Sequence, residues 1–203
     1  MARMIPPQYD RSTVSAAEKR IFHLFESDPD TQQWYVLHSL GLSNRNRGPY
    51  GEIDFVVLVP SGAVICLEVK GGRVRCSNGV WQTTDRFNVV ADLKRSPFMQ
   101  AREGMFALLH SIQQRFGPGS DPSRCLFGYA VVFPDTEAPP QTPEFERWEA
   151  ISREDLKTPI SRVILKLLAA QRKKLGSFSS PQAAESAIRD IRKRPVVTVW
   201  TGR

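Results

Sequence analysis

The chain has little of what would make it a membrane, secreted or zinc-bound protein. None of its apolar stretches approaches the roughly 18 residues that a membrane span requires, so no membrane partner is expected. Its opening residues, MARMIPPQYDRS, lack the apolar core of a secretion signal. Only three cysteines occur, Cys66, Cys76 and Cys125. They form no C-x-x-C pair and make no zinc-ligand spacing with His23, His38 or His110. That pattern argues against a disulfide framework and a zinc site, and suits a reducing cytoplasm, the expected location. Internal repeats and long low-complexity tracts are missing as well, which removes solenoids and arrays.

What is present is an ordinary globular composition. The 203 residues are 41% apolar and 24% charged, enough for one domain with a good core and an appendage. The formal charge of +7 favours polyanionic partners, nucleic acid first among them.

Residues 1–12 read as a flexible leader. From Val14 to Glu26 apolar residues recur at helical spacing, with Ser15 as a cap and Glu18 in capping-box position. Gln33–Leu42 is rich in β-formers and reads as a strand. Glu52–Val59 and Ala63–Lys70 are two apolar runs joined by Pro60-Ser61-Gly62, a three-residue hairpin loop with glycine at the left-handed position. Both runs are apolar on both faces, the mark of strands covered on each side. Val74 and Val80–Gln82 suggest short strands around Asn78-Gly79. Ser96-Pro97 starts a helix that runs to about Phe116. Its apolar stripe is Phe98, Met105, Leu109, Ile112 and Phe116. Gln100, Gly104, Ala107 and Ser111 form a small-residue face that lets a sheet approach closely.

Leu126–Phe133 is a further buried strand, followed by a proline-rich connector over 134–143. Ser152 and Asp155 cap a short helix, Ile160–Lys174 is an amphipathic helix, Ser180-Pro181 opens another, and Val196–Trp200 reads as a last strand. Trp81, Trp148 and Trp200 read as core or edge-packing residues. The division expected is a leader at 1–12, a core at 13–134 with element order αβββαβ, and a mainly helical C-terminal extension at 135–203.

The chemistry sits on the hairpin. Side chains alternate along a strand, so Glu68 and Lys70 share a face, as do Glu52 and Asp54. If Val59 pairs with Ala63, Asp54 stands opposite Glu68, with Cβ atoms about 5 Å apart. Two carboxylates that close, in strands this apolar, repel one another unless a cation lies between them. Hard oxygen ligands suit Mg²⁺ or Mn²⁺. The alternative is a buried ion pair at a sheet end, although such pairs contribute little net stability. Glu52 reads either as a partner behind Asp54 or, in preference, as a solvated strand-end residue.

Gly51-Glu-Ile-Asp54-Phe-Val-Val, then Leu67-Glu68-Val-Lys70-Gly-Gly, with the later Ser-Pro-Phe-x-Gln100 helix, resembles the nuclease-related domain (NERD). That family belongs to the PD-(D/E)xK nuclease superfamily, and the resemblance covers roughly residues 14–133. It implies an α/β restriction-endonuclease-like core, a mixed central β-sheet flanked by helices. It also implies Mg²⁺- or Mn²⁺-dependent hydrolysis of DNA phosphodiesters. Asp54 and Glu68 match the family's metal carboxylates, and Lys70 its water-positioning lysine. Glu18 matches the superfamily's helix-borne acid, a further metal residue. Relatives often carry glycines just ahead of that acid, where this chain has Ser15-Ala-Ala, and the capping-box role of Glu18 stands beside this one. Gln100 matches a polar residue found after the E-x-K strand; a surface glutamine is the other reading. NERD domains commonly occur joined to helicase or kinase modules, so a helicase partner is implied. The alternative function is a non-cleaving module that docks DNA or tethers a helicase.

Basic residues fall where a substrate backbone would pass. Arg45 and Arg47 precede the hairpin, Arg73 and Arg75 follow it, and Lys94, Arg95 and Arg102 surround the second helix start. They are expected to contact phosphates without sequence preference, the other reading being a solvated basic surface. Arg172–Lys174 and Arg189–Arg194 form a second basic concentration.

Overall fold

The computed structural model describes residues 1–9, 15–44, 48–77, 79–85 and 87–175. The expected helix from Ser180 and strand at Val196–Trp200, together with Arg45 and Arg47, lie outside them.

A six-stranded mixed sheet forms the centre, in the order β1-β2-β3-β4-β8-β9. Its strands are β1 (Arg3–Ile5), β2 (Tyr35–Asn44), β3 (Gly48–Val59), β4 (Ala63–Val69), β8 (Leu126–Phe133) and β9 (Ala150–Ser152). Three helices cover it: α1 (Ala16–Ser27), α2 (Pro97–Phe116) and α3 (Ile160–Leu175). A second, three-stranded sheet of β5 (Arg73–Ser77), β6 (Val80–Thr84) and β7 (Val90–Asp92) is inserted between β4 and α2.

The hairpin forms as its loop chemistry dictates. Val59 pairs with Ala63, Gly62 takes φ 87°, and its N–H donates to the Val59 carbonyl at 3.1 Å. β4 is buried at every position, antiparallel to β3 on one side and parallel to β8 on the other. Its two faces feed separate cores. Ile65, Leu67 and Val69 pack with Ile21, Phe22 and Phe25 of α1 and Ile160 and Ile164 of α3. Val64 and Cys66 pack with Met105, Leu108 and Ile112 of α2. Leu108, outside the expected stripe, is buried more deeply than Leu109, because α2 rolls its Leu108 edge onto the sheet.

Both major helix starts are capped as expected. Ser15 Oγ accepts from Glu18 N at 3.2 Å, and Ser96 Oγ from Phe98 N at 3.2 Å. Gly104 brings α2 down onto β3: a Cβ there would meet Ile53 Cγ1 at 3.0 Å.

Three short strands were not foreseen. Arg3–Ile5 lies parallel to β2, with Ala2 and Met4 buried, so this part of the expected leader is structural. β7 closes the small sheet, and β9 extends the main one. The segment after 134 also supplies core: Phe145 stacks on Phe98 with ring centroids 3.8 Å apart. Ile151, Leu156, Ile160, Ile164, Leu167 and Leu168 join the α1-side cluster.

Candidate active site

The site lies where the β3–β4 ladder ends. Phe55↔Leu67 is its last pair, and Asp54 and Glu68 occupy the next step. The Asp54 carboxylate replaces the missing ladder bond: its Oδ2 accepts from Val69 N at 2.7 Å. On the other side β2 pairs His38 with Phe55 and Leu40 with Ile53, which sets Ser39 beside Asp54. Ser39 has φ 53°, a left-handed conformation rare outside glycine and found at constrained sites. Regular alternation breaks there. Leu37 and Leu40, and likewise Ile53 and Val56, stand three apart yet face the same α2-side core. The break falls at Asp54, and Glu52 and Asp54 line one cavity.

Glu68 is 7% exposed and its Oε1 holds Lys70 Nζ at 2.6 Å. Lys70 N donates to Val132 O at 2.9 Å, which fixes the strand end on β8. Burial pushes the Asp54 carboxyl well above the usual range, and repulsion from Glu68 and Glu18 pushes it further. The Val69 N–H and Lys70 oppose the rise. Burial also raises Glu68, where Lys70 works in the opposite direction. Glu18 is raised by burial, with its Ser15 bond opposing, and it too experiences Glu52, Glu68 and Lys70. Glu18 therefore serves as a helix-start residue and as part of the site's field.

Asp54 and Glu68 open into a cavity of about 280 Å³ lined also by Glu52, Gln100, Arg95, Glu103 and Gly104. Four carboxylates and one guanidinium line it, a local excess of negative charge in a chain of net charge +7. Arg95 is itself tied to Glu103 at 3.2 Å. Among the described residues no three His, Cys, Asp or Glu side chains form a ready-made metal cage, so Asp54, Glu68 and Glu18 do not make one. Mg²⁺ needs no such cage: it takes one or two carboxylates and fills the remaining positions with water and phosphate oxygens. Asp54 and Glu68 fit that demand.

The structure thus brings Asp54, Glu68, Lys70, Gln100 and Arg95 together, with Glu18 acting from α1. Residues 13–134 match the family model of the nuclease-related domain. The chain belongs to that family. Comparison with curated proteins and with solved structures gave no match.

Other sequence candidates of this NERD protein sit elsewhere. Arg102 lines a different cavity, of about 490 Å³, with Phe106, Tyr129 and Trp148. Arg73 and Arg75 lie on the small sheet, bonded to the side chains of Asn88 and Gln82. Lys94 is exposed ahead of α2. Glu52 was undervalued, and Glu103 was missed. Glu52 lines the cavity and repels Glu18 and Glu68. Glu103 lies three positions past Gln100, hence on the same helix face, a spacing visible in the sequence. Asp135 was missed: its Oδ2 accepts from Gly72 N at 2.8 Å, and Arg20 donates to Pro134 O at 2.8 Å. Together they hold α1 against the end of the E-x-K strand. No helix among the described residues is long and apolar enough to cross a membrane.

Proposed function

We propose that this chain is a Mg²⁺- or Mn²⁺-dependent nuclease that hydrolyses DNA phosphodiester bonds on a restriction-endonuclease-like core. The observation that carries the reading is the pairing of Asp54 and Glu68 at one cavity mouth, with Lys70 held on Glu68 at 2.6 Å. Their mutual repulsion is relieved by a divalent cation, for which their oxygens are suited ligands. When bound, such a cation polarises the phosphoryl oxygen and acidifies water.

Asp54 and Glu68 hold the ion and, through the Val69 N–H, Asp54 keeps a fixed orientation. Lys70 places its ammonium beside the attacked phosphate, where it offsets charge and orients the nucleophile. Gln100 offers an amide from the α2 wall, and Arg95 a guanidinium for a flanking phosphate. Glu18 adds negative field behind Asp54, strengthening cation retention. Arg45, Arg47, Arg73, Arg75, Lys94 and Arg102 are the residues that would supply affinity for the DNA backbone.

Incubation with single- and double-stranded DNA, in Mg²⁺, Mn²⁺ or EDTA, tests the reading. Cleavage in metal that EDTA and Lys70→Ala both abolish is expected. Full activity of Lys70→Ala, or no cleavage of any DNA form, overturns it. The second reading is a non-cleaving module that docks DNA or tethers a helicase. Salt-sensitive DNA binding that survives Asp54→Ala, with no cleavage, supports that one.

A further inference from the structure

Two cavities flank α2. Gln100, Glu103 and Gly104 line the one at Asp54, whereas Arg102, Met105, Phe106 and Leu109 line the other, of about 490 Å³. The second lies at the outer edge of β8. There β9 covers only Val131–Phe133, and the cavity sits beyond that cover, between α2 and α3. Its size is that of a small-ligand site, roughly 300–1,000 Å³.

The walls suit a flat ring. Phe127 and Tyr129, two positions apart, share a face of β8, and Trp148 and Phe106 extend the aromatic lining. Phe106 is 56% exposed at the lip. Aromatic faces of this kind take planar rings by stacking.

The polar groups are few. Gln171 is 5% exposed; its Nε2 donates to Phe127 O, and its Oε1 has no hydrogen-bond partner among the described residues. A buried acceptor in that state costs free energy until a donor meets it. Arg102 makes no hydrogen bond or ion pair among the described residues, yet its charge acts on the Tyr129 hydroxyl. The one acid of the lining is already engaged: Glu149 accepts from Glu146 N at 2.9 Å and from the Tyr129 hydroxyl. Lys174, paired with Glu146, and Arg124, which has its own partner in the chain, add positive charge. Three cations therefore face one acid, and that acid is spent.

We propose that this cavity binds a nucleotide, with the base against the aromatic walls and the phosphate on Arg102. The lining calls for a planar ring with an N–H for Gln171 Oε1, joined to an anion for the guanidinium, and a nucleotide combines them. A free mononucleotide and the terminal nucleotide of a strand share that chemistry. The chain's own residues 176–203 match it poorly, with five basic residues against two acidic ones. The inference does not depend on the nuclease reading, because the cavity at Asp54 shares no lining residue with this one.

Calorimetric titration of the full chain with dAMP tests it, in EDTA, which removes any metal through which the Asp54 site would hold a phosphate. Saturable binding is expected, about tenfold tighter than that of deoxyadenosine. Arg102→Gln should remove that advantage and leave deoxyadenosine within about twofold, whereas Phe106→Ala should weaken both ligands about fivefold. Both side chains are exposed, so neither variant opens the core. No saturable binding of dAMP up to about 5 mM overturns the proposal. So does binding that both variants leave untouched, or a dimer in sedimentation that Phe106→Ala converts to monomer. A fluorescent oligothymidine separates the two sources. If dAMP displaces it in an anisotropy titration, the occupant is the end of a strand; if both bind at once, it is a free nucleotide.

Discussion

The carboxylate of Asp54 accepts a 2.7 Å hydrogen bond from the backbone N–H of Val69, the residue between Glu68 and Lys70. One bond therefore locks the β3 acid to the centre of the E-x-K tripeptide. It does so on the polypeptide backbone, so the contact survives changes to the Glu68 or Lys70 side chains. What those side chains decide is charge.

Asp54→Asn keeps a carbonyl acceptor for Val69 N and removes the charge. Metal-dependent cleavage is expected to fall at least a hundredfold, a loss of about 2.7 kcal/mol of transition-state stabilisation. Metal-free stability is expected to rise, because a buried and repelled carboxylate no longer has to ionise. Thermal melts in EDTA beside cleavage assays check both; a lower melting temperature contradicts the account.

The pH dependence of stability follows from the same cause. Asp54, Glu68 and Glu18 all have folded-state pKa values above their ordinary ones. Over that range the native state binds more protons than the unfolded chain, so stability is lost as pH rises. The contribution is complete below the usual carboxylate range near 4 and disappears as pH passes the raised values. Urea melts in EDTA should show this decline, shallower in Asp54→Asn, and Mg²⁺ should flatten it by binding the ionised native form.

Lys70→Met leaves Glu68, 7% exposed, without its 2.6 Å partner. Breaking a buried pair is costly, and Lys70 keeps some water contact, so a loss of up to about 3 kcal/mol at neutral pH is expected. The double variant with Glu68→Gln should recover much of it. If the two losses simply add in denaturant titration, the pair carries no coupling.

Gly104→Val pushes α2 off β3, since even a Cβ meets Ile53 Cγ1 at 3.0 Å. Overpacking of this kind costs about 1–3 kcal/mol. Gln100 sits one turn earlier on α2 and moves with it, so cleavage should fall beyond what the lost stability explains. Comparison at a temperature where both chains are fully folded separates the two effects.

A chain ending at residue 134 is expected not to hold the fold. It would uncover the α1-side core over which Ile160, Ile164, Leu167 and Leu168 lie, and remove the Phe145 ring stacked on Phe98. Near-ultraviolet dichroism of the truncated chain checks this; a native spectrum would show the segment to be dispensable.

The hairpin was legible in the sequence because loop length and a left-handed glycine together fix register, and register fixes which residue follows Phe55↔Leu67. The acid pair and Lys70 were therefore readable as neighbours. β1, β7 and β9 were not, being three residues each, too short for any periodicity. The break at Ser39 was hidden because nothing in a serine announces a positive φ. Asp135 escaped for a related reason: it lies in a polar, proline-rich connector where one aspartate looks like any other. The position of Glu18 depends on α1 packing against the end of β4, a contact that local patterns do not encode.

The antiparallel β3–β4 hairpin has a consequence for assembly order. Its strands meet through a three-residue loop, a closure of low entropic cost, whereas β4 must wait for β8, more than sixty positions later in register. The two acids are thus neighbours in kinetic terms, brought together before α2 or β8 can arrive. Their repulsion is felt first by a nascent, water-exposed hairpin, where solvent screens it. The full electrostatic penalty comes only when the later elements exclude that water.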